Sequence, residues 1–407
     1  MRKPVLCGPL DCLGCSACAN CCPTDSIQMK PNTEGFLQPT IDYNSCNSCK
    51  NCEKSCPVLT RPILERAEHP QVYAGWHKDE GTRLASSSGG MFSAAAELVI
   101  EKKGIVFGAA YDENLHVHHR GVEHRWELDL LRRSKYVQSE IGMVYRQINE
   151  QLQEGREVLF IGTPCQVAGL YAFLKSEFTN LLTLDFICHG VPSPLVIEKY
   201  IAVLEKKLEA KLSDINFRDK KHGWENSGVV VKTKTGETHY LKGTTNSFYT
   251  GFILGSFLRE SCYHCPFNGL PRFGDLTIAD FWGINQDKDI TQSNVDKGIS
   301  LVMLNNESRS GLIKDLRRQA VLINRTLDEA RNGNSPMFFP APRPASRDVF
   351  FKELITSDYN AVARKYLTYS RKRQFIQFLK ENLGKDYIAR LRKIKHKLSN
   401  HGTCKNR

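Results

Sequence analysis

The sequence predicts an α/β (α+β) domain preceded by a small bacterial-ferredoxin-like domain. Eight of its 15 cysteines form two runs of one spacing within the first 56 residues. Beyond residue 72, strand-like and helix-like hydrophobic patterns alternate, which is typical of an α/β architecture. The length of 407 residues exceeds that of one average domain, so two or three domains are expected.

Residues 1–60 contain both cysteine runs, each with the pattern C-x2-C-x2-C-x3-C-P. The runs are Cys12, Cys15, Cys18 and Cys22, then Cys46, Cys49, Cys52 and Cys56. In this pattern three thiolates bind one 4Fe-4S cluster, and the fourth binds the cluster of the other run. The predicted ligand sets are therefore Cys12, Cys15, Cys18 and Cys56 for one cluster, and Cys46, Cys49, Cys52 and Cys22 for the other.

Zinc and disulfides are the alternatives for these cysteines. Zinc also binds CxxC pairs, but one zinc ion needs only four ligands and two tandem runs would be superfluous. Disulfides are rare in the reducing interior that a chain without a secretion signal implies. The spacing thus favours iron–sulfur clusters and single-electron transfer. Cys21 could compete with Cys22 as a ligand, and Cys7 has no place in the pattern.

Residues 61–71 contain prolines and mixed charges, and we predict a linker there. The larger domain is predicted over residues 72–345, with an N-terminal part (72–150) and a C-terminal part (151–345). Strands are expected at VYAGWH, GIVFGAAY, LHVHHRGV, EVLFIG, LLTLDFIC and GDLTIAD, with helices between most of them and a hairpin near Gly236.

A second set of cysteines lies in the larger domain. Cys165 and Cys188 follow two predicted strands, and Cys262 and Cys265 form a CxxC pair. Strand ends in an α/β sheet converge on one edge, so these four thiols could hold a third 4Fe-4S cluster. Isolated cysteines are also common as small buried apolar residues, and spacing alone leaves both interpretations open.

Ser88, Gly89 and Gly90 precede a predicted helix. Free N–H groups at such a helix start can bind a phosphate. A serine-capped helix start with glycines for close packing is the other interpretation. The sequence lacks the glycine fingerprints of NAD and ATP sites.

The net charge of +12 lies in the C-terminal part of the chain, where residues 361–407 hold 14 Lys or Arg against Glu381 and Asp386. We interpret residues 346–407 as a basic helical tail. It could contact anionic lipid or an acidic partner, or pack on its own domain. No motif for sequence-specific nucleic-acid binding accompanies the charge. The expected localisation is cytoplasmic, with contact at the inner membrane surface as an open alternative.

The motifs SSSGGMFS, SKYVQSE, GTPCQVAGL, DFICHGVPSP, CYHCPF and GDLTIADFWGI resemble the beta subunit family of coenzyme F-420 hydrogenases and dehydrogenases. The resemblance covers about residues 70–330. It implies a flavin and iron–sulfur domain that binds FAD and one 4Fe-4S cluster, with cluster ligands at Cys165, Cys188, Cys262 and Cys265. It also implies that Ser88, Gly89 and Gly90 lie near the FAD phosphates, and that Lys135, Tyr136 and Ser139 lie near the flavin.

These expectations together predict an iron–sulfur flavoprotein oxidoreductase. It would pass electrons between ferredoxin-type clusters and FAD to reduce or oxidise a small organic substrate or a deazaflavin-like coenzyme. An external ferredoxin or another redox subunit would be its partner, and His189 is the candidate proton donor. A structural hydrogen bond is the other interpretation of His189. The alternative function is a non-catalytic electron-relay subunit of a larger redox complex.

Overall fold

The structure is a computed structural model that describes residues 2–242, 246–284 and 289–368. Cys404 and most of the predicted basic tail lie outside these residues. None of the described helices has the length and apolar character needed to cross a bilayer.

The first 60 residues form a two-fold repeat around short helices. Helices α1 (Ala17–Asn20) and α2 (Asn51–Lys54) flank a hairpin of β1 (Ile27–Pro31) and β2 (Leu37–Ile41), in which Ile27 pairs with Ile41. The residues before the two helices, Ser16 and Lys50, both have a left-handed φ of 61°. Both cysteine runs therefore turn in the same way.

An eight-stranded mixed sheet is the centre of the larger domain. Its strands are β3 (Gln71–His77), β4 (Ile105–Tyr111), β5 (Val117–Val122), β6 (Val158–Gly162), β7 (Leu181–Phe186), β11 (Leu276–Asp280), β12 (Ser300–Leu304) and β13 (Ala320–Arg325). They are ordered β13-β3-β12-β11-β7-β6-β4-β5. The four central strands β11, β7, β6 and β4 are parallel, and the outer pairs are antiparallel.

Helices cover both faces of this sheet. They are α3 (Glu80–Ala85), α4 (Met91–Glu101), α5 (Leu128–Leu131), α6 (Val144–Gln153), α7 (Pro164–Leu174), α10 (Gln292–Asp296), α11 (Gly311–Gln319) and α12 (Leu327–Arg331). Leu159 packs in one apolar cluster with α4 and α11, whereas its neighbour Phe160 packs in another with α6 and α7. This alternation is the period of two of a strand buried on both faces. Leu13 and Ala17 of the N-terminal module share the second cluster, so the module packs on the α6–α7 side.

A second core surrounds a three-stranded sheet of β8 (Leu212–Asp219), β9 (Gly228–Thr233) and β10 (Thr238–Leu241). Helices α8 (Pro194–Leu208), α9 (Ser247–Ile253), α13 (Arg347–Thr356) and α14 (Tyr359–Tyr366) contribute to it. Phe36, from the turn of the N-terminal hairpin, is buried in this core beside Phe350 and Phe351 of α13. Residues 347–366, assigned from sequence to the basic tail, thus belong to the core that receives the N-terminal module.

The α/β class and the ferredoxin-like N-terminal region are confirmed. Residues 61–70 contain no helix or strand, yet Arg66 in this segment is buried and binds Asp275 at 3.1 Å and the Tyr171 hydroxyl at 3.0 Å. The segment is therefore held on the larger domain.

Candidate metal centres

The first cavity lies in the N-terminal module and has a volume of about 330 Å³, part of it open to solvent. Four of the cysteines in its wall are Cys12, Cys15, Cys18 and Cys56. This is the crossed set that the spacing predicts, three cysteines from one run and the last from the other. All four side chains are buried.

Cys7 also lines this cavity, although it lies outside the repeated cysteine pattern. Its thiol is close enough to the sulfurs of Cys12 and Cys56 to lower the pKa of either one by hydrogen bonding. A thiol has a single S–H and donates to one sulfur at a time, and such a hydrogen bond favours the thiolate form of its acceptor, which is the form that binds iron. Cys7 stands five residues before Cys12, outside the repeated spacing, so no motif could have revealed it.

The second predicted set reaches the surface. Cys22 and Cys52 are buried together in a small apolar cluster, whereas Cys46 is half-buried and Cys49 is exposed. The neighbouring Cys21 has a pKa raised by burial, and its thiol donates to the carbonyl of Cys18 at 3.4 Å. A cluster bound by Cys22, Cys46, Cys49 and Cys52 would therefore lie closer to solvent than one in the first cavity.

A larger cavity of about 500 Å³, part of it open to solvent, lies at the ends of β6 and β7. Cys165, Cys188, Cys262 and Cys265 all line it. Cys165 is the second residue of α7, which follows β6, and Cys188 comes two residues after β7. The convergence of strand ends has therefore brought together four thiols that are far apart in the sequence.

The surroundings of these thiols suit a buried metal cluster. Backbone N–H groups of Gly190 and Val191 donate to the sulfurs of Cys188 at 3.3 Å and Cys262 at 3.5 Å. Burial raises the pKa of Cys262 to about 11 and that of Cys188 further. An isolated thiolate is thus unfavourable here, and a bound metal would compensate for its burial.

His189 lines the same cavity. Its ring stands edge-on to Phe252 with centroids 5.2 Å apart, and burial lowers its pKa. Its Nε2 atom is buried and has no hydrogen-bond partner in the described parts of the chain. The packed ring agrees with a structural role, and the unpartnered nitrogen agrees with a proton donor. Both interpretations of His189 therefore stay predictions.

Gly89 is explained by close packing. Its N–H donates to the Ser300 hydroxyl at 2.9 Å, and a Cβ there would lie 2.3 Å from the carbonyl oxygen of Gly75. Gly90 precedes α4 with a left-handed φ of 90°. The Ser88 hydroxyl donates to the carbonyl of Ile299 at 3.0 Å. The glycines therefore let the start of α4 approach strands β3 and β12.

The segment of Lys135, Tyr136 and Ser139 lies beside this helix start, because the N–H of Ser134 donates to the Ser87 hydroxyl at 2.9 Å. Burial lowers the pKa of Lys135 to about 7, and its Nζ donates to the carbonyl of Arg132 at 2.7 Å. The Tyr136 ring stacks on Phe252 with centroids 4.4 Å apart.

Ser139 is buried, and its hydroxyl lies 2.6 Å from Nδ1 of His119. The Nε2 atom of His119 lies 3.0 Å from the carbonyl oxygen of Ile161. The Ser139 hydroxyl is thus engaged within the protein. It holds His119, which in turn links β5, where His119 lies, to Ile161 of β6.

Arg218 is a residue that the sequence did not suggest. It is buried, pairs with Asp280 at 2.9 Å, lies over the Trp282 ring at 5.0 Å and is close to Tyr136. Trp224 stacks on Trp282 at 4.6 Å and donates to Asp280 at 2.8 Å. Nε and Nη2 of Arg218 are buried without a hydrogen-bond partner among the described residues. Two such N–H groups beside Tyr136 fit a ligand that carries hydrogen-bond acceptors.

These sites place the chain in the class of iron–sulfur electron-transfer proteins. Comparison with known families identifies it further. Residues 11–59 match the 4Fe-4S dicluster domain, and residues 155–330 match the C terminus of the coenzyme F420 hydrogenase/dehydrogenase beta subunit. The family resemblance is thereby confirmed, and the chain is an iron–sulfur redox protein related to that beta subunit.

Two curated relatives match the N-terminal module. The chain is 35% identical over 54 residues to the ferredoxin-type protein NapF of Haemophilus influenzae, covering 13% of this chain and 31% of that protein. It is 37% identical over 57 residues to an uncharacterised polyferredoxin-like protein of Methanocaldococcus jannaschii, covering 12% of this chain and 34% of that protein. The chain thus spans about a third of the length of these relatives.

A solved structure is also similar. A chain of the xenon-derivatised F420-reducing [NiFe] hydrogenase complex from Methanosarcina barkeri aligns with a TM-score of 0.43 and 13% identity, over 74% of this chain and 94% of that one. Similarity at this level does not establish a shared fold.

Proposed function

We propose that the chain is an iron–sulfur flavoprotein oxidoreductase that passes electrons between ferredoxin-type clusters and FAD. It would thereby reduce or oxidise a small organic substrate or a deazaflavin-like coenzyme. The observation that carries the proposal is that the two cysteine-lined cavities adjoin, since Leu13 lines both. In addition, Gly169 of α7 approaches the Cys15 side chain so closely that a Cβ there would lie 3.1 Å from its sulfur.

A third 4Fe-4S cluster would be held by Cys165, Cys188, Cys262 and Cys265. A cluster of this kind accepts and donates one electron at a time. The protein's part is to supply four thiolates, donate N–H groups from Gly190 and Val191, and limit the access of water. Cys49 is the exposed cysteine of the N-terminal sets, so the external ferredoxin or redox subunit would contact the module there.

FAD would lie beside Tyr136 and the start of α4. FAD exchanges two electrons with an organic compound and one at a time with a cluster. Tyr136 would stack or orient the ring, and the unpartnered N–H groups of Arg218 would bind acceptors on it. Ser88, Gly89, Gly90 and Lys135 would line the same region, since the Ser87–Ser134 hydrogen bond keeps the two segments adjacent. Ser139 would support this wall through His119.

His189 would hold the proton for the substrate at its unpartnered Nε2. Phe252 contacts both His189 and Tyr136, so it separates the imidazole from the proposed flavin region by one aromatic ring. The numerous thiolate ligands favour a reducing compartment such as the cytoplasm.

The test is the content of iron, sulfide and flavin per chain after anaerobic purification. We expect about twelve irons and about one FAD. Cys165→Ser should lose about four irons and keep the spectrum of the N-terminal clusters, whereas Cys404→Ser, the same chemical change outside the described residues, should lose none. About eight irons in the parent protein would exclude the third cluster.

The flavin count and a substrate assay separate the two functions. An oxidoreductase with FAD should turn over a small molecule with viologen as the electron donor or acceptor. A protein that stays free of flavin after reconstitution and purifies with another redox chain would instead be the relay subunit.

A further inference from the structure

Arg259 is a buried cation between the two adjoining cavities. It is 3% exposed and lines the cavity of Cys165, Cys188, Cys262 and Cys265. Its Nη1 donates to the carbonyl of Cys12 at 2.8 Å, in the wall of the first cavity. Its Nη2 donates to the carbonyl of Leu37 at 2.6 Å, and its Nε to Oε1 of Gln138 at 2.8 Å.

The hydrogen-bond partners of Arg259 are all neutral. Within residues 2–242, 246–284 and 289–368, no carboxylate oxygen lies within 4.0 Å of its guanidinium. A buried charge without a counter-charge is strongly unfavourable. Burial accordingly lowers the pKa of Arg259, whereas the sulfurs of Cys12, Cys262, Cys165 and Cys15 favour its charged form.

Arg347 provides the comparison, because it also joins the N-terminal module to the larger domain and is 2% exposed. It pairs with Glu34 at 2.6 Å and with Glu260 at 3.2 Å. Among the described residues, carboxylates therefore pair with this interdomain arginine, and none pairs with Arg259. The thiolates of the two cavities would supply the negative charge that compensates Arg259.

We propose that Arg259 is the shared counter-charge of the cluster in the first cavity and the cluster in the four-cysteine cavity. It acts as a positioning residue that raises the reduction potentials of both. Reduction adds negative charge to a thiolate-bound cluster, and a nearby cation stabilises the reduced form. Because the same cation raises both reduction potentials, the difference between them changes little. This difference drives electron transfer from one cluster to the other. The proposal deepens the proposed function and rests on its third cluster.

The test is a potentiometric titration followed by electron paramagnetic resonance under anaerobic conditions. Arg259→Gln removes the charge and keeps N–H donors. For a unit charge at roughly 12 Å in a medium of effective dielectric constant about 20, reduction becomes about tenfold less favourable. For a one-electron couple this is a potential lower by about 59 mV. Both clusters should show this shift. In Arg259→Lys, which keeps the charge, the equilibrium constant for reduction of each cluster should stay within about threefold of its value in the parent protein.

A second variant tests the same effect of charge if Arg259→Gln does not fold. Gln138→Glu places a carboxylate where Oε1 now accepts from Arg259, and it neutralises the cation without removing it. Both potentials should again fall. The matched control is the double variant Glu353→Gln with Lys365→Gln, which removes an ion pair between α13 and α14 with no change of net charge and should leave both potentials in place.

The iron content tests the third cluster separately from the role of Arg259. About eight irons in the parent protein would refute the third cluster. Full iron content with unchanged potentials in both Arg259→Gln and Gln138→Glu would overturn the role of Arg259. A shift confined to one cluster, identified with Cys165→Ser, would show that the charge is not shared.

Discussion

The contact between Arg347 and Glu34 should control how easily the N-terminal module opens. Two parallel hydrogen bonds of 2.9 and 2.6 Å join these side chains, and their exposed fractions are 2% for Arg347 and 22% for Glu34. Removing one partner of a fully buried ion pair costs about 3–5 kcal/mol. Because water reaches Glu34, we expect Arg347→Gln to cost about 2–3 kcal/mol. At 1.4 kcal/mol per tenfold, the open form becomes about 30- to 140-fold more populated.

Iron release to a chelator under anaerobic conditions measures this opening. The first cluster is enclosed by buried cysteines, whereas the second has the exposed Cys49 among its predicted ligands. Bleaching of the cluster absorbance should therefore have a fast phase and a slow phase. Arg347→Gln should accelerate the slow phase by about 30- to 140-fold, in proportion to the population of the open form, and leave the fast phase unchanged. Lys365→Gln, which breaks an exposed pair with Glu353 in the same C-terminal helices, is the control and should change neither phase.

A slow phase within threefold of the parent rate would refute this reasoning, as would an equal acceleration of both phases. The double variant Glu34→Gln with Arg347→Gln isolates the pair from the contacts of Arg347 with Glu260 and the Phe351 ring. We expect the two changes together to cost less than the sum of the single changes by about 1–2 kcal/mol.

Three further predictions concern stability. Burial lowers the pKa of His119 to about 4, from an ordinary value of 6.5. As the pH drops from 6.5 towards 4, the unfolded chain binds this proton before the folded one does, so the free energy of unfolding falls by up to about 3 kcal/mol. In His119→Gln, the urea concentration at the unfolding midpoint should depend less on pH over this range. Gly89→Ala places a Cβ 2.3 Å from the Gly75 carbonyl oxygen and should lower stability by about 1–3 kcal/mol in thermal melting, whereas Gly311→Ala, with open space around its Cβ, should not. Removal of iron should let trypsin cut within residues 1–60 while residues 72–366 resist. The module's own apolar cluster consists largely of cysteines, so without bound metal little holds the module folded. Digestion of both parts at one rate would contradict this.

Local patterns in the sequence were enough to predict much of the candidate site. The repeated spacing predicted the two N-terminal ligand sets, and strand ends at Cys165 and Cys188 indicated a common edge. Each of these inferences needs only a short stretch of chain and one rule of geometry.

Contacts between distant residues were beyond such reasoning. Arg259 and the Cys12 carbonyl are 247 residues apart, and no periodicity relates them. The assignment of residues 346–407 to one basic tail similarly missed α13, whose buried Phe350 and Phe351 pack in one core with Phe36 of the module. A glycine-rich helix start also has two physical explanations. The part that packing plays is visible only in the structure, where a Cβ at Gly89 would lie 2.3 Å from the Gly75 carbonyl oxygen.

The burial of Phe36 and Arg347 in one core has a kinetic consequence. A ferredoxin domain on a long flexible linker would have to swing between its donor and its acceptor. Here the module is fixed against the larger domain, so internal electron hopping would not wait for such a swing. Thickening the solvent with glycerol should slow only the encounter with the external partner.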